Sequence, residues 1–136
     1  MLDGDYRQRF PQGALRHEAD KARLDALLAL GRSDAALDLL ERSDESVSAD
    51  DSQRLVIRGE LRAKRGRYGQ AVGDFEAALT RHLDQSLLER ALFGAASCRV
   101  GLGDSPGART HFQGYLTRFP DGRFAERARR ALAAIP

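Results

Sequence analysis

Cysteine occurs once, at Cys98, so an internal disulfide is excluded and the cysteine count leaves the compartment open. Proline occurs four times, mostly where loops or a helix start are expected. β-Branched residues are scarce while alanine, leucine, arginine and the acidic residues dominate, which favours helices throughout. No apolar run approaches the roughly 20 residues of a membrane-spanning helix. The opening MLDGDYRQRF lacks a basic region followed by an apolar core and does not read as a signal peptide. Neither sign of charge prevails. Against 22 basic residues stand 20 acidic ones, a net +2 that argues against nucleic acid as a partner. All basic residues except Lys21 and Lys64 are arginine, a side chain that pairs well with carboxylates at interfaces.

What remains is a 136-residue chain, 42% hydrophobic and 31% charged, enough for one domain with a continuous core. Its clearest stretch runs from Leu55 to Leu79. Leu55, Gly59, Leu61 and Ala63 precede a break at Gly66. Tyr68, Ala71, Phe75, Ala78 and Leu79 follow it at i, i+3, i+4 and i+7 spacing, which predicts an apolar stripe on a helix. Gly66 suits the left-handed residue that ends a helix. The stretch therefore reads as a helix–turn–helix hairpin, with Gly59, Ala71 and Ala78 permitting close packing.

The same phrase recurs. Gly31, Gly66 and Gly103 each follow a helix-like run, spaced roughly 36 residues apart as in helical-hairpin repeats. Each is followed by an alanine (Ala36, Ala71, Ala108) and then a large apolar residue (Leu40, Phe75, Phe112) at matching offsets. Near the ends, YRQRFPQG at Tyr6–Gly13 parallels YLTRFPDG at Tyr115–Gly122. The expected organisation is the tail of a preceding helix or a half-repeat over 1–12, repeats over 13–44, 49–82 and 85–119, and a capping helix over 121–136. The tail suggests either a domain cut from a longer protein or an N-terminal half-repeat. Helices are expected at Ala14–Leu30, Ser33–Arg42, Gln85–Leu102, Ser105–Arg118 and Arg123–Ala134. The acidic connection SDESVSADDS should cap the next helix around Asp50–Ser52. Pro106 suits the first turn of its helix and Pro120 its stop.

With these residues in place, the chain resembles the tetratricopeptide repeat superfamily. Gly59, Gly66, Tyr68, Ala71, Phe75 and Ala78 match that repeat's pattern in the middle copy. Ala96, Gly103, Ala108, Phe112 and Pro120 match in the third, with Tyr115 where alanine is usual. In the first, Gly31, Ala36 and Leu40 match, but Leu24 and Ser43 replace small residues. The resemblance implies an all-α fold: a right-handed superhelical stack of about three helix–turn–helix hairpins with a C-terminal capping helix. The phrase Phe119–Ala128 is similar to repeats of bacterial envelope-associated proteins and membrane-anchored regulators, which implies a bacterial cytoplasmic or periplasmic setting.

The resemblance further implies a non-catalytic scaffold or adaptor binding a protein or peptide on the concave face. Carried over by repeat position, that face comprises Lys21, Asp25 and Leu28, then Gln53, Val56, Glu60 and Lys64, then Arg90, Phe93, Ser97 and Val100. Phe93 is the strongest anchor candidate, since aromatics concentrate binding energy when desolvated. Phe93 and Val56 equally suit packing between helices. Family members that clamp a C-terminal carboxylate use lysine and asparagine. This chain has no asparagine, which excludes the usual clamp.

Arg118, Arg123, Arg127 and Arg130, with Arg129 beside them, make a basic patch at the terminal helix. Such a run serves either an acidic partner, lipid or nucleic acid, or simply a solvated helix face. His17, His82 and His111 lack partners at metal-ligand spacing, so neither metal nor cofactor is expected. Cys98, among Ala95, Ala96 and Leu102, reads as a small buried hydrophobe with no activating base. The alternative to an interaction module is a structural spacer or self-associating domain, with a homo-oligomer as its product.

Overall fold

A computed structural model describes residues 12–42 and 51–136, with side chains from residue 18 onward in the first segment. The first Phe-Pro phrase up to Pro11 and the connection over 43–50 lie outside the described residues. The described chain is all-α, with seven helices and no strand. It divides into two compact units, Met1–Ser46 and Val47–Pro136.

The first unit contains α1 (Gln12–Ala29) and α2 (Ser33–Arg42). The two pack through Leu24 of α1, which is buried, and the α2 stripe Ala36, Leu37, Leu39 and Leu40. The second unit contains α3 (Ser52–Lys64), α4 (Tyr68–Leu79), α5 (Gln85–Gly101), α6 (Ser105–Arg118) and α7 (Ala125–Ala134). Sequence neighbours pack on each other in order, and α3 also touches α5. That is the packing of a tetratricopeptide-like helical array.

The turn chemistry repeats. Gly31, Gly66 and Gly103 have φ of 73°, 77° and 75°. After each, the next residue's N–H reaches back to a carbonyl of the last helical turn: Arg32 to Leu27 at 2.8 Å, Arg67 to Arg62 at 2.9 Å, and Asp104 to Arg99 at 2.8 Å. This is the Schellman closure, in which a left-handed residue lets orphan helix carbonyls be satisfied. Helix starts are equally explicit. The side chains of Asp51, Asp84 and Asp104 accept from the N–H groups of Arg54, Leu87 and Gly107. Each satisfies a donor that the helix itself leaves open.

In the second unit the core splits into two clusters. One joins Leu55 and Val56 of α3, Ala71, Val72, Phe75 and Ala78 of α4, and Ala91, Ala95 and Cys98 of α5. Its centre is the fully buried Phe75 ring, which lies against Gly59 and Gly94. The other joins Ala96, Ala108, Phe112, Tyr115, Ala125 and Ala128, so that α7 closes over α5 and α6. A charged group is also buried here. Asp74 of α4 takes bonds from Arg58 Nε (3.1 Å) and a terminal nitrogen (2.7 Å), and from Arg62 at 2.9 Å. Such a fully bonded carboxylate fixes the angle of α4 on α3.

Candidate functional site

The two helices that open the hairpins of the second unit, α3 and α5, share a side with α7. Glu60 on α3 and Arg90 on α5 form a two-pronged ion pair, with N···O distances of 3.0 and 2.5 Å. Hydrogen bonding from the Glu60 carboxylate holds the Arg90 guanidinium above its ordinary pKa. One turn along α5 lies Phe93. Its ring stacks on Phe124, with centroids 4.6 Å apart, and meets Phe112 and Tyr115 edge-on at 5.9 Å. Arg127 of α7 then covers Phe93, its guanidinium carbon 4.9 Å from the ring centroid. The Glu60–Arg90 pair and the Phe93–Arg127 pair, one helical turn apart on α5, thus link three helices.

Phe124 is held just ahead of α7 by a small network. Its N–H donates to the Tyr115 hydroxyl at 2.8 Å, which donates to Glu89 Oε2 at 2.5 Å. The same carboxylate oxygen accepts from the Arg123 N–H at 2.6 Å. Burial, followed by the Glu89 bond, pushes the Tyr115 hydroxyl up to about 12, so it remains a donor.

The expected partner-facing residues fall into distinct environments. Lys21 and Asp25 are exposed on α1, and Leu28 is half-buried. Gln53 and Lys64 are exposed on α3, with Glu60 half-buried between them in sequence. Val56 is a correction. It is 0% exposed and belongs to the Phe75 cluster, three residues from the Gly59 that faces that ring, so it is packing and not a contact surface. Phe93 and Ser97 are half-buried on α5. Val100 is exposed and borders a shallow apolar recess with Ser105, Ala131, Ala134, Ile135 and Pro136.

The four expected arginines of the patch, Arg118, Arg123, Arg127 and Arg130, are exposed. They do not act alike. Arg123 and Arg127 both sit over the Phe124 ring, at 5.4 and 5.8 Å. Arg129 instead donates to the Pro120 carbonyl at 2.5 Å. Glu89 and Phe124 were not expected at this site. Phe124 reads in sequence as part of an apolar helix side, and nothing local to either residue points to Tyr115 or Phe93. Among the described residues no three metal-ligating side chains come together. Nor is any described helix long and apolar enough to cross a membrane. Cys98 is buried, and burial pushes its thiol up to about 11, far from a reactive thiolate.

No curated protein matches the chain. Residues 90–122, from the α5 residue that pairs with Glu60 to the glycine beside Tyr115, match the family model described as tetratricopeptide repeat. That match, on a chain whose hairpins share one turn geometry, supports a place in the tetratricopeptide-like superfamily.

Proposed function

We propose that the chain is a non-catalytic interaction module that binds a segment of a partner protein along the side shared by α3, α5 and α7. Tetratricopeptide repeats generally mediate protein–protein interaction and are typically scaffolds without catalysis. The observation that carries the reading is the Glu60–Arg90 pair set one helical turn from the Phe93–Phe124–Arg127 stack. It combines charge with half-exposed aromatic surface on side chains already held by their neighbours. A preformed surface loses little side-chain freedom when a partner arrives. Gln53, Lys64 and Ser97 would extend it, and Lys21, Asp25 and Leu28 would add a further surface on α1.

Site-specific photo-crosslinkers test this. One is placed at Lys64 on the proposed side, another at Gln113, exposed on α6. Crosslinking to one and the same protein from Lys64 but not from Gln113 supports the reading. Crosslinking from Gln113 alone sinks it.

Self-association is a second reading, drawn from Val100 and Leu102, which are 49% and 50% exposed at the end of α5. Apolar side chains clustered at one helix end are suited to burial against another copy. Sedimentation across a wide concentration range decides it: mass rising with concentration favours it, and a constant monomer mass removes it.

A further inference from the structure

We infer that Arg123 and Arg127, mounted on the stacked Phe93 and Phe124 rings, form a carboxylate receptor for an acidic segment of the partner. The inference rests on the interaction reading above and names the chemistry of its partner.

Three observations carry it. First, charge is locally unbalanced. From Arg118 to Pro136 five arginines face two acidic residues, Asp121 and Glu126. Second, the other described carboxylates of this unit already hold partners. Asp74 is taken by Arg58 and Arg62, and Glu60 by Arg90. Glu76 and Asp104 are taken by Arg99. Glu89 holds Tyr115 and the Arg123 backbone. Among the described residues no carboxylate pairs with the Arg123 or Arg127 side chain. Third, the two guanidiniums are placed rather than merely present. Both lie over Phe124, and Arg127 also covers Phe93, which stacks on Phe124. A guanidinium held over an aromatic ring keeps N–H groups free at its edge, and such an edge can receive a carboxylate two-pronged. Arg118 and Arg130 have the same charge but no ring beneath them among the described residues.

The partner is an acidic protein segment rather than a phosphate polymer because Arg90–Glu60 lies one helical turn away. There a carboxylate already occupies an arginine fork in the manner proposed for the ligand.

The test is a fluorescence-anisotropy titration of the full chain with a labelled peptide of alternating glutamate and alanine, at low salt. Circular dichroism verifies the fold of each variant. The R123Q/R127Q double variant should weaken binding by about tenfold or more, as expected for the loss of charge-assisted forks. R118Q/R130Q removes the same charge from the same end and should cost less than about threefold, the scale of a screened surface effect. R127K keeps the charge but not the planar fork and should lose several-fold. Equal losses in the two double variants, full binding by R127K, or no binding by the unaltered chain each overturns the inference. So does tighter binding of single-stranded DNA or of phosphatidylserine vesicles that is lost in R123Q/R127Q, which would make this a phosphate site. If crosslinking from Lys64 persists while R123Q/R127Q binds the peptide normally, the interaction reading stands and this inference alone falls. If Lys64 captures nothing, the interaction reading falls first.

Discussion

A β-carbon on Gly94 of α5 would lie 2.5 Å from the Cζ of Phe75 on α4. Real contacts are never so short, so the ring occupies the space a side chain would need. Gly59 on α3 is related to the same ring in the same way, at 2.9 Å. One aromatic side chain therefore sets how closely three helices approach.

Helix propensity alone would make Gly94→Ala favourable by up to about 1 kcal/mol. Overpacking against Phe75 should outweigh this and destabilise by about 1–3 kcal/mol. Gly114 on α6 supplies the control, since nothing lies within 4 Å of its β-carbon direction. Gly114→Ala should stabilise by about 0.5–1 kcal/mol. Urea unfolding of both variants checks the pair. Gly94→Ala at or above the unaltered stability would show that the Phe75 ring can move aside.

Asp74 offers a second contrast. It is 4% exposed and serves both Arg58 and Arg62. Asp74→Ala leaves buried guanidiniums without that carboxylate and should cost about 3–5 kcal/mol. Glu60→Gln breaks a pair whose side chains are 39% and 25% exposed, and should cost less than about 1 kcal/mol. Thermal melts that rank the two variants the other way would mean the buried cluster contributes little to holding α4.

What the sequence revealed and what it hid follow from the range of the interactions. Gly31, Gly66 and Gly103 mark helix ends through backbone conformation, a local property, and their left-handed φ was readable one glycine at a time. The caps at Asp51, Asp84 and Asp104 are local too. Val56 had two readings because its apolar character suits either side of α3 and a half-turn error in helix phase, about two residues, exchanges the core side for the outer side; its burial selects packing. Phe93 had two readings until Phe124 and Arg127 were seen around it. Those partners come from more than 30 residues away, and no periodicity within α5 encodes them. Asp74 lies on the buried stripe of α4, where a pattern of apolar spacing has no place for a carboxylate.

Tyr115 should matter to the placement of Phe124 more than to the core. Tyr115→Phe keeps the ring and removes the acceptor for the Phe124 N–H and the donor to Glu89. A cost of about 0.5–1.5 kcal/mol is expected for hydrogen bonds lost between half-buried groups. Hydrogen exchange should show it locally, with the Phe124 amide exchanging faster while amides of α3 keep their protection. Equal acceleration in both places would mean that the network supports the whole unit. By loosening Phe124, this variant should also weaken acidic-peptide binding without altering any arginine.

Cys98 gives the pH dependence. Burial raises its thiol to about 11, against about 9.0 for an unburied thiol. The folded state therefore holds the proton more tightly than the unfolded state. The associated stability is fully present below the unfolded pKa and is lost as pH rises through the window from about 9.0 to about 11. Cys98→Ala lacks that titration. Its stability should be lower at neutral pH, where a well-packed sulfur has been removed, and the gap should narrow as pH rises across the window. Denaturant titrations of both proteins at neutral and alkaline pH measure the gap directly. A gap that is constant with pH would show that the thiol titrates alike in both states. A thiol-reactive dye makes the complementary measurement: with Cys98 1% exposed, labelling should follow unfolding and not precede it.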